Sequence, residues 1–216
     1  MTAIGKAFDY VVPPAMAGRV EVGTEVRVVL HGRRVWGWVV ELGVTPPAGV
    51  VLRPLVAVRS VGPPPAVLGL AEWAAWRWAG RPSTLLRTAS SATVVRALPT
   101  AGPRRPPAVP TGPGHDAVGD PWIGAEALAE VFAGGPCVVR LPPAAPTDAV
   151  VLAAVARAAA SGSARSGAGT LVLAPGQHQA WALAGRLRRL GHRVATLPDQ
   201  WAEAGAGGGV VVGSRA

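Results

Sequence analysis

Residues 140–160 read RLPPAAPTDAVVLAAVARAAA, the outline of a strand end, a loop and a helix that often opens a nucleotide-binding domain. The chemistry there would be phosphate capture. Successive backbone N–H groups turn inward at a helix start, where the dipole is positive, while a lysine reaches the β- and γ-phosphates. Glycines serve this turn because it demands unusual φ values and close approach of the backbone to the anion. Aligning Thr147 with the final threonine of such a loop puts Pro146 in the lysine position. It also puts Ala145 and Pro143 at glycine positions and Arg140 at the first glycine. Three prolines remove three N–H donors and fix φ away from the values of the cradle. Arg140 as a replacement cation would need the donors that the prolines have removed. The segment therefore reads as a strand-to-helix turn with Thr147 or Asp148 capping the helix, and ATP binding in the usual way is not expected.

Metal chemistry is equally unsupported. One cysteine, Cys137, excludes an internal disulfide framework and a cysteine-rich zinc site, and His31, His115, His178 and His192 are scattered without ligand spacing. His178 and His192 read as surface or loop positions, and Cys137, beside two valines, as a buried strand residue. Charge is more informative. Twenty of the 21 basic residues are arginine; residues 1–105 hold 13 basic against 5 acidic side chains, and residues 106–216 hold 8 against 7. A basic field points to polyanions, and the planar arginine fork suits phosphate. A compositional bias of a GC-rich genome would also raise arginine, so both readings stay open.

The elements that would position these residues follow from pattern. Half the residues are hydrophobic, enough for a packed core in one large or two small domains. Apolar runs stop well short of the ~20 residues of a membrane span, and no apolar leader precedes a cleavage site; the sequence reads as a cytoplasmic protein with no membrane partner. EVRVVL and VWGWVVEL, joined by the turn HGRR, predict a hairpin, with LRPLVAVRSV as a third strand of a small curved barrel. PPPAVLGLAEWAAWRWAG then predicts a helix with Val67, Leu70, Ala74 and Trp78 on its buried face, and its tryptophans read as core. A second short helix is expected in STLLRTASSATVVRAL. Residues 100–121, rich in proline and glycine, read as a linker. Residues 122–216 alternate between helix and strand, with strands at PCVVRL, GTLVLAP, HRVATLP and GVVVGS, the pattern of a parallel sheet with crossover helices. The abrupt end after GVVVGSRA suggests the front part of a longer protein.

The order FDYVVPP, VGTEVRVVLHGRRVWGWVVEL, LRPLVAV, LAEWAAW and RALP resembles the N-terminal DNA-binding domain of PriA, the primosomal protein N′ family of replication restart. The resemblance rests on Phe8, Asp9, Tyr10, Pro13, Gly23, Val26, Val28, Gly32, Arg33 and Arg34 over roughly residues 5–99. TLVLAPGQHQA, RLRRLGHRVATL and GVVVGSRA are similar to helicase motif regions of the same family. The winged-helix domain expected after the first module is missing or replaced by the linker. With the degenerate loop, this is similar to the actinobacterial branch without helicase activity.

The resemblance implies an α+β, barrel-like 3′-end DNA-binding domain at 1–99, the linker at 100–121 and an incomplete, degenerate RecA-like domain at 122–216. It implies capture of nascent 3′ ends at forked or single-stranded DNA by Phe8, Asp9, Tyr10, Gly32 and Arg53, with Arg33 and Arg34 nearby. Primosome or single-strand-binding proteins would be partners. No cofactor is expected in this stretch, and a family zinc site would lie beyond residue 216. On the residues alone, Phe8 and Tyr10 could instead be core, and Arg33 and Arg34 a solvated hairpin tip. Two rival functions are an ATP-dependent helicase with an unorthodox loop and a protein-interaction scaffold.

Overall fold

A computed structural model describes residues 6–100, 130–131, 135–143, 147–160, 169–207 and 209–214. The chain forms two compact units, Met1–Leu98 and Pro99–Ala216. Among the described residues, no helix is long and apolar enough to cross a membrane.

The first unit is organised by a β-branched hairpin. Strand β2 (Glu25–Leu30) pairs antiparallel with β3 (Arg33–Trp38) from Glu25↔Trp38 to Leu30↔Arg33. The two residues between them, His31 and Gly32, both take positive φ, 49° and 77°. That geometry matches the right-handed twist of the flanking strands. On the other side of β2 lies β5 (Ala57–Ser60), giving the order β3-β2-β5. The single third strand expected over 52–61 is in fact two. Arg53–Pro54 (β4) pairs parallel with Tyr10–Val11 (β1), and only Ala57–Ser60 joins the hairpin. The chain changes partner at Leu55–Val56, where Leu55 N–H donates to the Val11 carbonyl and Val56 N–H to the Arg27 carbonyl. The strands thus make two small sheets joined by these bonds. Among the described residues these sheets do not close into the expected barrel. One face of the larger sheet buries Val26 and Val28 with Val20 and Leu55, supported by Tyr10, Val12, Met16, Val35, Val39 and Val58.

Helix α1 (Pro65–Arg77) starts on a proline whose fixed φ suits the first helical position, and α2 (Pro82–Ala89) starts the same way. The face of α1 differs from the expectation. Leu68, Ala71, Ala74 and Ala75 are buried, whereas Leu70 and Trp78 are 57% and 66% exposed. Trp73 and Trp76 are exposed too, with Trp73 and Trp78 edge to face at 5.4 Å. The helix is apolar on all sides, so periodicity does not select its face. Close packing against Leu86 of α2 and Trp38 of β3 selects the small residues. Ser90, just past α2, completes this contact by accepting the Trp38 indole N–H at 2.9 Å and donating to the Leu86 carbonyl at 2.7 Å.

In the second unit β6 (Thr170–Ala174), β7 (Val194–Thr196) and β8 (Val210–Ser214) form a parallel sheet of order β6-β8-β7. Helix α3 (Thr147–Ala160) and helix α4 (Gln177–Arg189) cover one face, burying Leu152, Val155, Ala180, Leu183, Ala184 and Leu187 against Val194, Val210 and Val212. A short helix α5 (Trp201–Gly205), not expected from pattern, precedes β8. The strand expected at residues 136–141 does not form. Cys137 is exposed rather than buried, and Val138 is 96% exposed. An apolar run becomes a parallel strand only where neighbours satisfy its backbone and both faces are covered. Among the described residues β6 has a strand partner on one edge only, and its Leu171 and Leu173 are exposed on one face. Of the expected helix over 124–135, only residues 130–131 and 135 are described, the first two of them helical. The linker beyond Thr100 lies outside the described residues.

Candidate nucleic-acid interface

The parallel pair β1–β4 brings Tyr10 opposite Arg53, two residues that are remote in sequence. Tyr10 is fixed from two directions. Its ring packs against the core of the hairpin sheet, and its hydroxyl donates to the Val29 carbonyl at 3.1 Å. Val29 pairs with Arg34, so Tyr10 reaches to within two residues of the His31–Gly32 turn. Burial raises the Tyr10 phenol above its ordinary value, and the Arg53 cation partly opposes this. Tyr10 is therefore a structural anchor, its one donor already used.

Phe8 and Asp9, directly before this anchor, are exposed. Phe8 is 43% exposed and belongs to none of the buried clusters, which removes the core alternative for it. Gly32 is exposed, and no atom lies within 4 Å of where its side chain would stand. Arg33, Arg34 and Arg53 are exposed as well. Strand alternation separates the two hairpin arginines. Arg33 falls on the side of Val35, which packs with Tyr10, whereas Arg34 falls on the opposite side with Trp36. Thus the ladder sets Tyr10 against Arg53, with Phe8 and Asp9 directly before it in the chain, and Arg34 lies on the opposite face of the hairpin from Arg33.

The sole tyrosine of the chain makes this seat measurable. Its phenolate absorbance is expected to titrate above 10.0 and to move higher in Arg53→Ala, where the opposing cation is gone. Because the fold favours the neutral phenol, its contribution to stability is present below the ordinary value and is lost as pH rises through the folded one. A titration at or below 10.0, or one indifferent to Arg53, would show that the ring is not seated on the core.

Sequence analysis did not single out a second cluster. The Arg27 and Arg59 guanidinium carbons lie over the Trp36 ring, 5.0 and 5.3 Å from its centroid. Glu25 accepts from Arg59 at 2.6 Å. The signal was the period-two placement of Glu25, Arg27, Arg34 and Trp36, with Val29 among them, on the face opposite Val26, Val28 and Val35.

In the loop before α3, Arg140, Pro142 and Pro143 are exposed, Thr147 is the first helical residue, and Ala145 and Pro146 lie outside the described residues. Asp148, in the first turn, forms an ion pair with Arg186 of α4.

Residues 1–91 match the family described as the PriA 3′ DNA-binding domain. No curated protein matches the chain.

Proposed function

We propose that this chain, whose residues 1–91 match the PriA 3′ DNA-binding domain family, acts in replication-fork restart by seating the 3′ end of a nascent strand on Phe8 and Asp9. The carrying observation is their placement, exposed on a backbone that the Tyr10–Arg53 ladder and the Tyr10–Val29 bond hold still. An exposed ring stacks on a terminal base of any identity, which suits a protein working at forks of any sequence. The Asp9 carboxylate accepts from a terminal 3′-hydroxyl and repels a 3′-phosphate. Arg53 and Arg33 neutralise the adjoining phosphates, and the bare Gly32 turn admits the strand.

Residues 122–216 form, in this reading, an incomplete RecA-like domain of the type without helicase activity, joined through the linker at 100–121. Two features at the start of α3 support that reading. Pro142 and Pro143 offer no N–H donors, and the anion beside the first turn of the helix is already Asp148, paired with Arg186. A nucleotide phosphate would meet that carboxylate. The second unit then serves as scaffold for primosome or single-strand-binding proteins, and forked or single-stranded DNA is the ligand.

The test uses two primed forks that differ only in ending with a 3′-hydroxyl or a 3′-phosphate, followed by fluorescence anisotropy. Wild type should prefer the hydroxyl by about tenfold, the worth of one hydrogen bond to a charged group. Asp9→Ala should bind both forks alike. Equal wild-type affinities would refute recognition of the end.

A further inference from the structure

The sheet β3-β2-β5 has a second face, opposite the Tyr10 core, that is built from charge and aromatic rings. Its far end is closed, because Trp38 is covered by Leu68, Ala71 and Leu86 of the two helices. Moving towards the hairpin tip, Trp36 and Arg27 are half-buried and Arg34 is exposed. Two guanidiniums share the Trp36 ring, and such a ring holds cations through its negative π face. Like charges this close repel, and one carboxylate stands against them. Glu25, with its side chain 3% exposed, is committed to Arg59. Among the described residues, Arg27 has no acidic partner, and its Nε is buried without a hydrogen-bond partner. Arg34 adds a third cation at the open end. The face therefore carries two positive charges more than it neutralises, on rigid strands.

We propose that this face binds the sugar–phosphate backbone of a DNA strand, with Arg27 and Arg34 contacting phosphodiesters and Arg59 shared between Glu25 and the strand. A planar fork of donors meets two phosphate oxygens at once, which an isolated ammonium does not. The Trp36 ring already supports two cations, so it positions guanidiniums and is not a free platform for a base. Recognition here is of backbone alone and independent of sequence. The inference rests on the 3′-end reading in one respect. The hairpin tip separates Arg33, on the Tyr10 side, from Arg34, on the Trp36 side. A strand whose terminus is held at Phe8 and Asp9 continues past the Gly32 turn onto this face.

The experiment measures binding of the full chain to both primed forks across a salt series. Each phosphate contact contributes roughly 0.7 to 0.9 to the slope of log affinity against log salt. Arg34→Ala and Arg27→Met should each weaken binding to both forks by the same factor and lower the slope by about that amount, leaving the 3′-hydroxyl preference unchanged. Glu25→Gln, which releases Arg59, should tighten binding to both forks and steepen the slope, an effect that a purely structural role would not give. Arg34 is exposed, so its variant remains informative even where Arg27→Met is unstable. An unchanged slope in Arg34→Ala, with the thermal midpoint of wild type, overturns the proposal. A lost hydroxyl preference in wild type with the slopes still responding overturns the 3′-end reading instead.

Discussion

Alanine at position 23 is expected to destabilise the first unit by about 2 to 5 kcal/mol, the joint cost of a left-handed φ and a steric clash. Gly23 has φ +97°, and a Cβ there would stand 2.0 Å from the Pro63 carbonyl oxygen and 3.2 Å from its carbon. The contact is reciprocal, since a Cβ on Gly62 would lie 2.0 Å from the Gly23 carbonyl oxygen. Two backbone segments cross here with no room for a side chain, and both are tied down. Gly23 N–H donates to the Val39 carbonyl at 2.7 Å, and Thr24 accepts from Val39 N–H at 3.0 Å. Relief of the clash would open the hairpin at its Glu25–Trp38 end, the end away from the Gly32 turn. A domain of this size is typically stable by only 5–15 kcal/mol, so roughly a third of the margin is at stake. Urea unfolding of the full chain should show the loss, whereas Gly37→Ala, with free space around it, should change little. Gly32→Ala should fall between, because its φ is positive and its surroundings are open. Wild-type unfolding in Gly23→Ala would mean that the two segments do not cross as described.

Removal of the Phe8 ring should weaken binding to the 3′-hydroxyl fork roughly 5- to 150-fold, the equivalent of about 1 to 3 kcal/mol for one stacked base. The ring is 43% exposed and outside the buried clusters, so Phe8→Ala should keep the wild-type thermal midpoint. Binding to a blunt duplex, which offers no unpaired terminal base, should stay as it is. Tyr10→Phe is the informative contrast. It deletes the bond to the Val29 carbonyl, for which about 1 kcal/mol of stability is expected, and keeps the stacking surface next door. Phe8→Ala binding the hydroxyl fork as wild type does would remove stacking from the mechanism.

Local pattern made several elements legible. The alternating EVRVVL and VWGWVVEL, with a glycine between them, specify a hairpin because side chains two apart share a face and Gly32 accepts positive φ without strain. The proline run ending at Pro65 marks the first helix start for a similarly local reason, whereas Pro82, which reads as the stop of that helix, opens the second one. The loop after Arg140 is legible as chemistry withheld, since three prolines have no N–H wherever the chain goes. Other features were not local. The buried face of α1 depended on which neighbour it met, and alanines won over tryptophans because they allow a close approach to Leu86 and Trp38. The segment at 136–141 has strand composition, yet composition cannot supply the neighbouring strand it would need.

The candidate site divides in the same way. The resemblance read from the sequence by itself proposed which residues bind DNA, namely Phe8, Asp9, Tyr10, Gly32, Arg33, Arg34 and Arg53; that Arg33 and Arg34 lie on opposite faces follows from their place in β3. Only the tertiary structure decided their company. The parallel ladder sets Tyr10 against Arg53, and the partner change at Leu55–Val56 brings Arg59 to the ring of Trp36. Strand register between distant segments is fixed by the packing of one shared core, and no run of neighbouring residues carries that information.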